Sequence, residues 1–225
     1  MRFMFKTVIF DFDGVVANSE RVHLIAERKV MTHYSWPVSE EQHHSYIGKT
    51  EKEMWKDLLR NYKCEEDIND VMELKAKFFL DIIEKENAEL IMPGLPELLF
   101  DLKKKGANVC IASSGRKDLI DLMLEKTGIR NNFEFIITAD DVDRGKPAPD
   151  LFLKAADNFN NSSEECIVIE DSENGVRAAI SASMPVVGFV NSHSGNQNLS
   201  DADYIVSSHN ELNYNILKRV CEGIV

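Results

Sequence analysis

Short apolar runs recur along this 225-residue chain, and stretches of helical period fill the spaces between most of them. The runs are Thr7–Phe10, Asn108–Ala112, Phe133–Ile137, Cys166–Ile169 and Pro185–Val190, with a weaker one at Tyr204–Val206. Among the intervening stretches, Leu95, Leu98, Leu99 and Leu102 follow the i, i+3, i+4, i+7 spacing of one helix face. Phe152, Ala155, Ala156 and Phe159 repeat that spacing. Gly106 and Gly128 stand where glycine closes a helix. Strand alternating with helix predicts βαβ units, and hence an α/β fold with a parallel sheet flanked by helices on both faces.

One gap breaks the alternation. From about Glu20 to Asn87 only helical pattern is present. Thr50-Glu51-Lys52-Glu53 reads as a capping box, followed by an apolar stripe at Trp55, Leu58, Leu59 and Tyr62. Ser39 with Gln42 makes a weaker box, and Ile68 to Ile83 a long amphipathic helix. An all-helical block placed straight after the first strand predicts a second, smaller domain. The expected division is a core of residues 1–18 and 88–225 with a helical domain at 19–87. The connections lie near Val15–Ser19 and Asn87–Gly94.

A net charge of −12 argues against a nonspecific hold on nucleic acid or an anionic membrane. It leaves room for an anionic small molecule, because a bound divalent cation reverses the local field. Cys64, Cys110, Cys166 and Cys221 are scattered, without a CxxC pair, and Cys110 and Cys166 read as small buried hydrophobes. Lys6 and Asp11 interrupt any signal-peptide core, and no apolar run approaches the ~18 residues of a membrane span. The expectation is a cytoplasmic soluble protein, monomeric or weakly dimeric.

Residues 8–14 read Val-Ile-Phe-Asp-Phe-Asp-Gly, an apolar run that stops on two carboxylates and a glycine. A strand ending this way puts Asp11 and Asp13 at the rim of the sheet, where open α/β folds bind ligands. Two anions so close repel unless a cation or a proton separates them. Other strand ends are also polar. Ile111-Ala112 leads into Ser113-Ser114-Gly115-Arg116, Gly145-Lys146-Pro147 follows the third strand, and Ile167-Val168-Ile169 ends in Glu170-Asp171-Ser172. Asp11, Asp13, Glu170 and Asp171 together make an oxygen-rich nest suited to Mg²⁺. Ser113, the Ser114 backbone N–H and the Lys146 ammonium offer donors to a phosphate dianion. Asp11 can then attack phosphorus, while Asp13 protonates the leaving alcohol and later activates water.

With these motifs in this order, the chain resembles the haloacid dehalogenase-like hydrolases over essentially its full length. The family's four motifs correspond here to Asp11-Phe12-Asp13-Gly14, Ser113, Lys146 and Glu170-Asp171. The resemblance implies a Rossmann-like core, Mg²⁺ as cofactor and the helical block as a cap domain. It implies Asp11 as nucleophile, Asp13 as acid/base, and Ser113 with Lys146 as phosphate binders. Asp11, Asp171 and the Asp13 carbonyl would hold the metal, with Glu170 beside them. The dehalogenases lack the second aspartate, so Asp13 points to phosphoryl transfer.

Within the family the chain looks most like the subgroup of β-phosphoglucomutase and the small sugar-phosphate and phosphoglycolate phosphatases. His23 stands where the mutase has a histidine that assists its acid/base aspartate. The mutase's second-phosphate arginine is replaced by Glu51, between Lys49 and Lys52. A second dianion beside Glu51 would be repelled. The expected function is therefore a Mg²⁺-dependent phosphatase of a small phosphorylated metabolite, acting through an aspartyl-phosphate, with the cap closing over it. His23, Lys49 and Arg116 are the expected substrate contacts. The alternatives are a hexose phosphomutase and, more remotely, a receiver-like phospho-aspartate signalling module, which has neither a helical insert nor a use for Asp13. His43-His44 do not read as a metal site, since helical neighbours point about 100° apart. Trp36 and Trp55 read as packing residues, and the run Asp140-Asp141-Val142-Asp143 as a solvated loop.

Overall fold

The computed structural model describes residues 5–46, 51–85, 90–191 and 194–225. The chain divides into two compact units, one of Met1–Asn18, Glu89–Ser192 and Asn196–Val225, the other of Ser19–Ala88 and His193–Gly195.

The first unit is a six-stranded parallel sheet in the order β3-β2-β1-β4-β5-β6, a Rossmann-like arrangement. The strands are β1 (Thr7–Phe10), β2 (Asn108–Ser113), β3 (Phe135–Thr138), β4 (Cys166–Glu170), β5 (Val186–Phe189) and β6 (Tyr204–Val206). β1 lies at the centre, with Phe10 level with Ile111 on one side and Ile169 on the other. Every residue of β1 and β4 is buried, which is why these strands are apolar without alternation. On one face, Ile9, Cys110, Ala112 and Val168 pack against α7 (Asp150–Asn158) and α8 (Glu173–Ser181). On the other, Phe10 meets Phe133 edge-on, and Phe5 meets Tyr214 of α9 (Tyr214–Cys221). The Leu95–Leu102 stripe lies on α5 (Leu95–Lys104), whose apolar side is fully buried. α6 (Lys117–Lys126) follows β2.

Local rules placed most strand boundaries within a residue or two. The run beginning at Phe133 becomes a strand only from Phe135, because Arg130–Asn132 form a 3-10 turn that delays it. The acidic run after β3 has a structural use: Asp141 accepts from the Thr138 N–H and hydroxyl, and Arg144 grips Asp150 with two hydrogen bonds.

The second unit is the helical cap, consisting of α1 (Glu20–His33), α2 (Glu40–His44), α3 (Glu51–Asn61) and α4 (Ile68–Lys85). Its core gathers Val30, Met31, Trp36, Met54, Trp55, Leu58 and Val71. Trp36 stacks between Tyr34 and Tyr62, and Trp55 is fully buried in the same cluster, so both tryptophans serve packing. The Ser39 hydroxyl accepts from the Gln42 N–H at 3.1 Å, as the weaker box requires. Thr50 of the stronger box lies outside the described residues. His43 is buried, with its Nε2 2.6 Å from Glu27 Oε2. No described helix is long and apolar enough to cross a membrane.

Candidate active site

β1 hands its hydrogen-bond ladder one residue past its end, since the Asp11 N–H donates to the Ile169 carbonyl at 2.9 Å. Asp11 is therefore held at the edge of the sheet beside the ends of β2 and β4. Lys146 arrives from the loop after β3 and aims its ammonium into the same place. It donates to Asp11 Oδ1, to Glu170 Oε1 at 2.7 Å and to the Ala112 carbonyl at 3.0 Å. Its Nζ also lies 5.0 Å from the centre of the Phe152 ring. One cation thus ties together the ends of three strands.

Glu170 is fully buried, and both its oxygens are engaged by the protein. Oε1 takes Lys146, and Oε2 accepts from the Ser172 N–H at 2.7 Å and the Ser172 hydroxyl at 2.9 Å. The Ser172 hydroxyl in turn accepts from the Gly175 N–H at 3.0 Å, capping α8. Glu170, grouped by its sequence position with the metal ligands, here braces Lys146.

Asp13 is the one residue of 11–17 that is not buried. Ser113 is buried at the end of β2, its hydroxyl accepting from the Gly115 N–H at 2.9 Å. A β-carbon on Gly115 would lie 3.2 Å from Ser113 Oγ and 3.4 Å from Asp13 Oδ2, so both side chains converge on this glycine. Ser114 is exposed beside it. Asp171 follows Glu170 and is buried. The structure thus brings Asp11, Asp13, Ser113, Ser114, Lys146, Glu170 and Asp171 to one edge of the sheet.

The electrostatics follow from two carboxylates, Asp11 and Glu170, sharing one ammonium, with the Asp13 charge acting on Asp11 as well. Burial pushes Asp11 up to about 8 despite the pull of Lys146, and Glu170 and Asp13 push the same way. Burial works against the Lys146 charge, yet Asp11 and Glu170 hold its pKa above the ordinary lysine value. The described residues contain no cluster of three or more His, Cys, Asp or Glu side chains arranged as a metal cage. The donors are nonetheless all hard oxygens carrying surplus negative charge, and Asp11 and Asp171 end neighbouring strands. That set fits a cation such as Mg²⁺, which takes one or two carboxylates and completes its shell with water and substrate oxygens.

The three expected substrate contacts fare differently. Arg116 makes a fork with Asp118, at 3.1 and 2.8 Å. Lys49 lies outside the described residues. His23 belongs to the cap, where its ring packs on Phe79 at 4.6 Å and Nδ1 is 2.7 Å from Lys75 Nζ.

Lys75 was missed in the sequence, although a lysine among Val71, Phe79 and Ile82 on a buried stripe is a readable signal. It is buried and reaches Glu51 Oε2 at 3.2 Å, while Glu51 Oε1 accepts from the Trp55 indole N–H at 3.0 Å. Burial opposes the Glu51 charge, but Lys75 and Trp55 leave its pKa below the usual carboxylate value. Glu51 is therefore a neutralised partner and not the open anion pictured from sequence.

The family model described as haloacid dehalogenase-like hydrolase matches residues 8–189. The chain is 31% identical to a phosphorylated carbohydrates phosphatase of Thermotoga maritima, over 96% of this chain and 99% of that one. It is 28% identical to the β-phosphoglucomutase of Bacillus subtilis, over 94% and 93% of the two chains. Among solved structures, CbbY from Rhodobacter sphaeroides in complex with phosphate superimposes with a TM-score of 0.83 at 25% identity, covering 93% of this chain and 96% of that one. By the family match over most of its length, the chain belongs to the haloacid dehalogenase-like hydrolases.

Proposed function

We propose that this protein is a Mg²⁺-dependent phosphatase that hydrolyses a small sugar or polyol phosphate through an aspartyl-phosphate on Asp11. The observation that carries the reading is the Lys146 ammonium between Asp11 and Glu170, with Asp13 and Ser113 converging nearby on Gly115. A nucleophile, an acid/base and phosphate donors would then share the rim of one sheet, and that convergence supports the reading. The names of relatives that act on phosphorylated carbohydrates support the substrate class.

Asp11 attacks phosphorus, and the bond from phosphorus to the leaving oxygen breaks as Asp13 passes that oxygen a proton. Asp13 then takes a proton from water, whose oxygen attacks the aspartyl-phosphate and releases Asp11 and inorganic phosphate. Lys146, the Ser113 hydroxyl and the Ser114 N–H hold the phosphate oxygens through both steps. Asp11, Asp171 and the Asp13 carbonyl would hold the metal. When bound, it adds the positive charge that keeps the crowded carboxylates ionised and polarises the phosphoryl group.

A phosphomutase must also retain a bisphosphate, which calls for cationic charge to hold the second phosphate. In the cap, the buried cation Lys75 is already paired with Glu51, and the proposed substrate carries a single phosphate. Phosphate release should be measured over a panel of phosphorylated sugars and polyols with Mg²⁺, for wild type and Asp11→Asn. Release by wild type and background release by the variant are expected. Isomerisation of β-glucose 1-phosphate, primed by the 1,6-bisphosphate and free of phosphate release, would replace this reading with the mutase.

A further inference from the structure

Residues 12–17 form a tight turn directly after Asp11. The Phe12 carbonyl accepts from the N–H groups of Val16 and Ala17, each at 2.9 Å, and the Gly14 N–H donates to the Ala17 carbonyl at 2.8 Å. Gly14 has φ 79°, a left-handed conformation that a side chain would strain. These N–H groups are satisfied inside the turn, whereas the carbonyls of Gly14, Val15 and Val16 find their partners outside it. All three residues are buried, and a buried carbonyl left without a partner is costly. Three separate parts of the core supply the donors. Asn191 Nδ2 reaches Gly14 O at 3.2 Å, His209 Nε2 reaches Val15 O at 2.7 Å, and the Met92 N–H reaches Val16 O at 3.0 Å.

His209 is the unexpected member. It opens a 3-10 turn after β6, 194 positions along the chain from Val15. Its ring is buried between Phe189, at 4.6 Å, and Phe10, at 6.3 Å. Nδ1 has no hydrogen-bond partner. Burying a half-satisfied imidazole is costly, and a phenylalanine would fill the same slot between two rings without that cost. The hydrogen bond to Val15 is therefore what this site gains from a histidine.

We propose that His209 is a positioning residue for Asp13: by clamping the Val15 carbonyl it holds the turn that presents the Asp13 carboxylate. The proposal rests on Asp13 serving as the acid/base. His209 touches no substrate and acts through the backbone. An acid displaced by roughly 1 Å loses on the order of 10²-fold in rate, and the loss is greatest where the leaving group needs its proton.

The test uses the full chain with His209→Phe, which keeps the packing and removes the donor, and His209→Gln, which retains an amide donor. Hydrogen exchange of the Val16 and Ala17 amides should be faster in His209→Phe and restored toward wild type in His209→Gln. With Mg²⁺, kcat of His209→Phe for glycerol phosphate should fall about tenfold more than kcat for p-nitrophenyl phosphate, with KM little changed. Asn191→Leu, which removes the neighbouring clamp, should show the same pattern and carries the test if His209→Phe does not fold. Unchanged exchange, or equal losses on the two substrates, overturns the proposal. A wild type that releases phosphate from no substrate overturns the phosphatase reading instead, and the exchange result then decides the clamp by itself.

Discussion

A β-carbon at position 175 would lie 1.7 Å from Glu170 Oε1, so Gly175 and Glu170 share one space at the start of α8. The glutamate can brace Lys146 only because Gly175, in the first turn of the helix beside it, has no side chain.

Gly175→Ala should therefore expel Glu170 and leave Lys146 paired with Asp11 alone. The expected result is a fall in kcat of roughly 10- to 100-fold, with the protein still folded, since helix propensity itself favours alanine. Steady-state phosphate release and a thermal melt check it together. Full activity would show that Lys146 does not need its second carboxylate.

Asp13→Asn should separate the two proton transfers. Attack on p-nitrophenyl phosphate, whose leaving group needs no proton, should survive, while hydrolysis of the intermediate stalls. Intact-protein mass spectrometry should then find a phosphorylated chain. Equal loss of the burst and of steady-state turnover would remove Asp13 from this role.

Chelation should abolish activity, and added Mg²⁺ should restore it. Ca²⁺ should inhibit, because its looser shell of about 6–8 oxygens misplaces the attacking carboxylate. Full turnover in EDTA would exclude the proposed chemistry.

Acid should weaken the fold through His209. Burial holds its folded pKa down at about 4, below the 6.5 of an ordinary histidine. Between those values the unfolded chain binds the extra proton, so the stability is present above pH 6.5 and is lost as pH falls towards 4. Wild type should lose about 2 kcal/mol more than His209→Phe between about pH 7.5 and about pH 5. Denaturant unfolding of the two proteins at both pH values measures the difference. Parallel losses would mean that His209 titrates normally.

The chain carries its strands and catalytic carboxylates in short words. A buried parallel strand must be apolar throughout, so Val8–Phe10 and Ile167–Ile169 announce themselves, and a carboxylate just after such a run has to lie at the sheet edge. Asp11, Asp13, Ser113 and Asp171 were legible for that reason, because their positions follow from neighbours a few residues away. The partner of Lys146 was not. Its contacts with Asp11 and Glu170 span 135 and 24 positions, and they exist because the sheet order sets β1 between β2 and β4. The charge of Glu51 was misread on similar grounds, since Lys75 comes from another helix 24 positions on and neutralises it. Nothing in the local pattern marks His209, whose role depends on a carbonyl 194 positions away. Hydrophobic period and turn chemistry act over a few residues, so the sequence alone determined which elements form and which polar groups end them. Which charges are paired, and which backbone groups are held, depends on contacts between distant segments, and only the packed tertiary structure decided those.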